Sequence, residues 1–347
     1  MAKLPGSASD PLWYKDAIIY ELHVRAFKDS NADGIGDFPG LLEKMDYLQD
    51  LGVTCLWLLP FFPSPLKDDG YDISDYYGVN PAFGTLGDFV EFTHAAKQRG
   101  IRVLIDLVVN HTSDQHHWFR SARSDPNSPF RDWYVWSRRK PRSAKQGMVF
   151  PGVQKSTWSY DRQAKAWYFH RFYKFQPDLD TANPHVQAEI LKIMGFWIQL
   201  GVSGFRMDAV PFVISSKGAA VKKPLERYDM LRFLREFLQW REGDAIILAE
   251  ANVLPKTDME YFGDAGDRMH MMLNFQVNQS LFLALASADC RPLVRAMNAT
   301  RTRPTTAQWG MFLRNHDELD LGRLLRSKGP ASGTIFCSYG LNCPRMT

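Results

Sequence analysis

Cysteine is scarce in this chain of 347 residues: Cys55, Cys290, Cys337 and Cys343 are the only four. They lack metal-type spacing, and Cys55 sits inside the apolar run TCLWLLP. Buried thiols in a reducing compartment are therefore expected rather than disulfides or a zinc site. No window approaches the roughly 20 apolar residues of a membrane span, and the opening MAKLPGSASDPLWYKD has no apolar stretch of signal-peptide length. A cytoplasmic location with no membrane partner is the expectation. Charge of one sign is also thin: the formal net charge of +4 is spread through both halves. The one dense basic run, RRKPR (Arg138 to Arg142), is too short to argue for nucleic acid and reads as a solvated loop.

What is present is the composition of a globular protein, 45% apolar and 23% charged, in a chain long enough for one large domain or two ordinary ones. From residue 17 the pattern is AIIYELHV (strand), FPGLLEKMDYLQDLG (helix), TCLWLLP (strand), LGDFVEFTHAAKQRG (helix) and RVLIDLVV (strand). The helices carry apolar residues at three and four spacing and stop at Gly52 and Gly100; the strands are continuous apolar runs, the kind buried on both faces. That order is βαβαβ, hence a parallel sheet.

Residues 110–175 break the rhythm and read as an inserted domain, after which come the helix HVQAEILKIMGFWIQLG and the strand SGFRMDA. Further units follow: a helix near Tyr228 to Trp240, the strand AIILAE, a strand near Met269 to Phe275, a helix through SLFLALA and the strand GMFLRNH. The first strand-to-helix loop has no G-x-G-x-x-G, which argues against a doubly wound dinucleotide fold. Polar groups recur instead at the ends of strand after strand, which suits a (β/α)8 TIM barrel of class α/β, whose strand ends converge on one face. The barrel is expected in residues 1–109 and 176–347, with seven strands.

Asp208 ends GFRMD with Arg206 two residues before it, so both side chains point to the same side of a strand. The arginine would keep Asp208 ionised. Glu250 ends ILAE, where flanking apolar residues would favour a retained proton. One ionised carboxylate beside one protonated carboxyl is what retaining glycoside cleavage requires. The Asp208 and Arg206 pair alone would be read as a buried ion pair. A third carboxylate at a strand end, Asp317 beside His316, and His111 after Asn110 shift the balance toward an active site.

Four segments, DLVVNH, GFRMDAV, ILAEAN and FLRNHDE, with QPDLD (Gln176 to Asp180) as a fifth, resemble the ordered signature regions of the alpha-amylase family, glycoside hydrolase family 13. The resemblance spans residues 12 to about 328. It implies Asp208 as nucleophile, Glu250 as acid/base and Asp317 as the carboxylate that distorts and stabilises the sugar. It also implies that His111, His316 and Arg206 surround the glucosyl unit. DDGYDISDYYGVNPAFG resembles the second-strand loop of the branch acting on short α-glucosides, where Asp68 would hold the terminal sugar's hydroxyls and Tyr71 would stack on it. The wording of the motifs is most similar to family members that turn maltose into trehalose. Hydrolysis of short α-glucosides, and an inactive shortened fragment, are the alternatives.

DSNADGIGD places Asp29, Asn31, Asp33, Gly34, Ile35 and Asp37 at positions 1, 3, 5, 6, 7 and 9 of an EF-hand-like loop, with Gly40 where the twelfth-position Glu would stand. A structural Ca2+ is expected there, as the resemblance also implies. A second calcium is expected more weakly at Asn110 and Asp178, because AVPFVISSKGAAVKKP after Asp208 lacks the acidic ligand. No organic cofactor is expected. The final ASGTIFCSYGLNCPRMT supplies neither an eighth strand nor the family's C-terminal β-domain. A shortened or frameshifted product is the expected explanation, since seven strands do not close an eight-stranded barrel.

Overall fold

The computed structural model describes residues 10–317 and 319, except 151 and 222. Two compact units divide at Glu250 and Ala251. Residues 110–175, expected as an inserted domain, belong to the first of them.

The first unit is built on five parallel strands in the order β1 (Ile19–Leu22), β2 (Cys55–Leu58), β3 (Arg102–Leu107), β7 (Gly204–Met207), β8 (Ile246–Ala249). Every residue of β2, β7 and β8 is buried, as continuous apolar runs covered on both faces must be. The register sets Asp106 beside Arg206, Arg206 beside Leu248 and Met207 beside Ala249. Gly204 is required at the base of this register. Its φ is +149°, and a Cβ there would lie 2.2 Å from the Ile246 carbonyl oxygen on β8.

The helices between the strands follow the sequence signals. Leu86–Gln98 begins with a capping box in which Thr85 accepts from the Asp88 N–H, and the chain after it turns through Gly100 at φ +70°. Pro184–Gln199 is capped by Asn183 and buries Trp197 among Phe61, Phe62 and Phe89, with ring centroids 5.0 to 5.4 Å apart. The helix expected over 38–52 is two pieces, Phe38–Glu43 and Met45–Asp50, broken at Lys44.

Residues 110–175 carry a helix, His117–Ser124, and an antiparallel sheet in the order β4 (Trp136–Ser137), β6 (Ala166–Phe169), β5 (Trp158–Asp161). The QPDLD segment rejoins the exit of β3: the Pro177 carbonyl accepts from Thr112 N, the Asn110 carbonyl from Leu179 N, and the Phe175 carbonyl from Asp114 N.

The second unit pairs β9 (Met271–Leu273) in parallel with β10 (Gln308–Gly310) beside the helices Phe275–Ser287 and Arg291–Ala299. The strand expected over GMFLRNH ends where it was to begin, at Gly310, because β9 offers only three residues to pair with. Trp309 is the residue that anchors it, buried against Phe262 and donating to the Thr300 carbonyl at 2.8 Å. Met311 and Leu313 beyond it are exposed. Seven parallel strands are thus present among the described residues, five in the first unit and two in the second. The expected strandless tail, residues 331–347, lies outside the described residues. Among the described residues no helix is long and apolar enough to cross a membrane.

Candidate active site

Arg206 is the centre of the polar cluster at the strand ends of the first unit. It is fully buried, and its side chain meets one carboxylate at the end of its own strand, Asp208, and one from each neighbouring strand, Asp106 of β3 and Glu250 after β8. Its Nη1 donates to Asp106 Oδ1, and to Asp208 Oδ1 at 2.8 Å, while Nη2 lies 2.8 Å from Glu250 Oε1. The two-residue spacing from Arg206 to Asp208 therefore does place both side chains on one side of the strand. Burial alone would pull the guanidinium's pKa down, but Asp106, Glu250, Tyr71 and Asp208 outweigh it and hold the pKa well above the ordinary arginine value. One fixed positive charge thus faces three carboxylates.

Glu250 follows β8 directly, and its Oε2 accepts from the Ala209 N–H at 3.0 Å. Ala209 takes a left-handed φ of +47°, a turn that brings this amide round to Glu250 immediately after Asp208. In the sequence Glu250 is flanked by apolar residues. The structure instead sets it in an ionic contact, because Arg206 reaches it from the adjacent strand.

Asp106 received no role from the sequence, yet it is buried and binds three groups. Besides Arg206, its Oδ2 accepts from Trp57 Nε1 at 3.0 Å and from the Tyr71 hydroxyl at 3.4 Å. The signal was a carboxylate inside the apolar run RVLIDLVV, which needs a partner to be buried. Burial and then the Asp106 charge push the Tyr71 hydroxyl's pKa well above its usual value, so that Tyr71 stays neutral. Arg206 lies 5.8 Å from the centre of the Tyr71 ring.

His111 donates through Nε2 to the Tyr71 carbonyl at 3.2 Å, and its Nδ1 faces the Asn110 side-chain amide at 3.3 Å. Burial lowers its pKa to about 4, which favours the neutral ring, and the Tyr71 carbonyl, able only to accept, places the hydrogen on Nε2. Asp68 sits three residues before Tyr71, and its Oδ2 accepts from Gln176 Nε2 at 2.6 Å. Tyr71, His111, Arg206, Asp208 and Glu250 thus fall into one connected network in the first unit, which Asp68 joins through its carbonyl, the acceptor of the Tyr71 N–H at 2.8 Å. His316 and Asp317 belong to the second unit, on the exposed stretch after β10, 3.6 Å from each other.

The weaker calcium expectation is corrected by Lys217. Its ammonium is buried and lies 2.7 Å from Asn110 Oδ1, 3.1 Å from the Asn110 carbonyl, 3.0 Å from the Leu179 carbonyl and 2.8 Å from Asp178 Oδ2. Asn110 and Asp178 therefore face a side-chain cation, and a divalent ion does not fit among the same oxygens. Burial lowers the Lys217 pKa, and Asp178 opposes that shift.

In the loop after β1, Asp29 accepts from the N–H groups of Asn31, Ala32 and Gly34, Asn31 Oδ1 accepts from Asp33, and Asp33 Oδ1 accepts from Ile35. Asp37 accepts from Ser30 and from the Gly40 N–H. The turn is organised by hard oxygen donors, the type that calcium takes. Among the described residues no three His, Cys, Asp or Glu side chains gather into a metal-holding group.

Parallel strands alternating with helices define a protein of the (β/α) barrel class, with carboxylates at two of the strand ends sharing one buried arginine. Comparison with known proteins makes this specific: the family model "Alpha amylase, catalytic domain" matches residues 21–331, and the chain belongs to the alpha-amylase family. It is 49% identical over 316 residues to the trehalose synthase of Thermus thermophilus, covering 91% of this chain and 32% of that protein. It is 46% identical to the trehalose synthase/amylase TreS of Mycolicibacterium smegmatis, covering 90% of this chain and 53% of the relative. Among solved structures, trehalose-6-phosphate hydrolase of Bacillus licheniformis superposes with a TM-score of 0.75 at 28% identity, covering 88% of this chain and 58% of that one. The chain thus spans about a third to a half of the length of these two curated relatives.

Proposed function

We propose that the chain carries the catalytic machinery of a trehalose synthase-like enzyme, which interconverts maltose and trehalose through a covalent β-glucosyl-enzyme. Asp208 attacks the anomeric carbon as the glycosidic bond breaks, and Glu250, once it has taken a proton from solvent, gives that proton to the departing glucose oxygen. Glu250 then takes the proton from the anomeric hydroxyl of the reoriented glucose, whose oxygen displaces Asp208. Asp317 stabilises the oxocarbenium-like transition state. Asp68, His111, His316 and Arg206 bind ring hydroxyls, with Tyr71 against the ring.

The observation that carries this reading is Arg206 held between Asp208 and Glu250 on adjacent strand ends, 2.8 Å from each. The two curated relatives above, both with trehalose synthase in their names, support the choice of reaction. The second reading is hydrolysis of short α-glucosides, favoured by the name trehalose synthase/amylase of one relative. Incubation with maltose separates them: trehalose formation is expected, and glucose as the sole product would replace the first reading by the second.

We infer further that the loop of Asp29, Asn31, Asp33, Ile35 and Asp37 holds a structural calcium, supported by its EF-hand-like spacing and by the turns that its carboxylates organise. A chelator is then expected to lower the melting temperature by ordinary linkage, and calcium to restore it. An unchanged melting temperature would remove the site.

A further inference from the structure

We propose that Gln176 is a positioning residue that sets the orientation of Asp68 toward the sugar. The proposal rests on the reading above in which Asp68 binds the terminal glucosyl unit.

Gln176 is fully buried, a costly place for an amide unless both ends are bonded. Both ends are. Its Oε1 accepts from the Tyr173 N–H at 3.3 Å, which turns Nε2 toward Asp68 Oδ2, 2.6 Å away. The segment presenting it is rigid on either side: the Phe175 and Pro177 carbonyls accept from Asp114 and Thr112 on the β3 exit. The loop presenting Asp68 is held too. Asp72 accepts from Ser64 Oγ and from the N–H groups of Lys67 and Asp68, while Asp69 is paired with Arg25 at 2.6 Å and lies 3.3 Å from His23.

Two firmly held loops 108 residues apart in sequence thus meet through one neutral donor and one carboxylate. Neutrality matters here. A lysine or arginine in this place would neutralise the carboxylate that must accept from sugar hydroxyls, whereas an amide fixes the plane of the carboxylate and leaves its charge. Gln176 thereby ties the inserted segment to the grip on the sugar, and its loss should be felt in substrate binding through Asp68.

The test uses the full chain and the variants Gln176→Met, Gln176→Glu, Asp68→Ala and the Asp68→Ala/Gln176→Met double variant. Maltose consumption gives kcat/KM whatever the products, and titration calorimetry gives affinity for 1-deoxynojirimycin, a glucose-like amine. Gln176→Met is expected to lower both by about 10- to 100-fold, the range for a hydrogen bond to a charged group. The double variant is expected to be no worse than Asp68→Ala, since both changes disable one interaction. Gln176→Glu, if folded, is expected to lose affinity at pH 8 and to regain it relative to wild type as the new carboxyl takes a proton. Additive losses, or unchanged affinity in Gln176→Met, would overturn the proposal. A wild-type chain that binds deoxynojirimycin but leaves maltose intact sinks the functional reading alone, and Gln176 is then judged on affinity. Failure of the wild type to bind the amine overturns both.

Discussion

At the scale of single residues, the consequential contacts are those in which a buried charge finds a partner far away in the chain. Lys217 and Asp178 lie almost wholly inside the protein, and each is the other's counter-charge at 2.8 Å. Removing one member leaves the other buried and unpaired, which costs roughly 3–5 kcal/mol. Lys217→Met is therefore expected to lower unfolding stability by about that amount, measured by denaturant titration. A loss under about 1 kcal/mol would show that water or a dissolved ion replaces the ammonium there, against the ordinary cost of an orphaned charge. The pair was not legible in the sequence. Asp178 was recognised as an oxygen ligand, but nothing in AVPFVISSKGAAV says that Lys217 folds back over 107 residues to Asn110. Gln176 and Asp106 escaped for the same reason: each has its role only through partners on other strands and loops. Asp208, Arg206 and Glu250 were legible because a polar group at the end of an apolar strand has few structural uses.

At the scale of elements, strands and helices were readable wherever burial repeats along the segment. The runs CLWL and IILA are continuous because both faces of the sheet are covered, and Gly52, Gly100 and Gly201 end helices at positive φ. The reading failed at GMFLRNH, where the apolar spacing looks like a strand but the partner β9 stops after three residues. It also missed His117–Ser124, a short helix whose cap is an unusual one: His116 Nδ1 accepts from the Trp118 N–H at 3.2 Å. An imidazole can accept there only while neutral. Burial, followed by the neighbouring His117, pushes the His116 pKa down to about 3. The unfolded chain binds this proton near pH 6.5 and the folded one near pH 3, so stability is lost as pH falls through that window. His111, lowered to about 4, acts in the same direction. His116→Asn keeps a capping acceptor and removes one titration. It is expected to flatten the decline in unfolding stability between pH 6.5 and 4 by about 1.4 kcal/mol per pH unit. An unchanged slope would mean that His116 already titrates normally in the folded state.

At the scale of the whole chain, membership of the alpha-amylase family rests on residues 21–331, and the carboxylates at the centre of the proposed chemistry are divided between the two units. Asp208 and Glu250 are fixed in the first by Arg206, while Asp317 stands in the second. Holding catalytic residues and carrying out catalysis are separate properties, and the second requires that Asp208 form a bond to sugar. The most direct measurement is intact-protein mass spectrometry after incubation with a fluorinated glucosyl donor that traps the covalent intermediate. A single glucosyl adduct mapped to Asp208, and lost in Asp208→Asn, is the expected result. An unlabelled wild-type chain, or labelling that survives in Asp208→Asn, would contradict the assignment of Asp208 as the nucleophile.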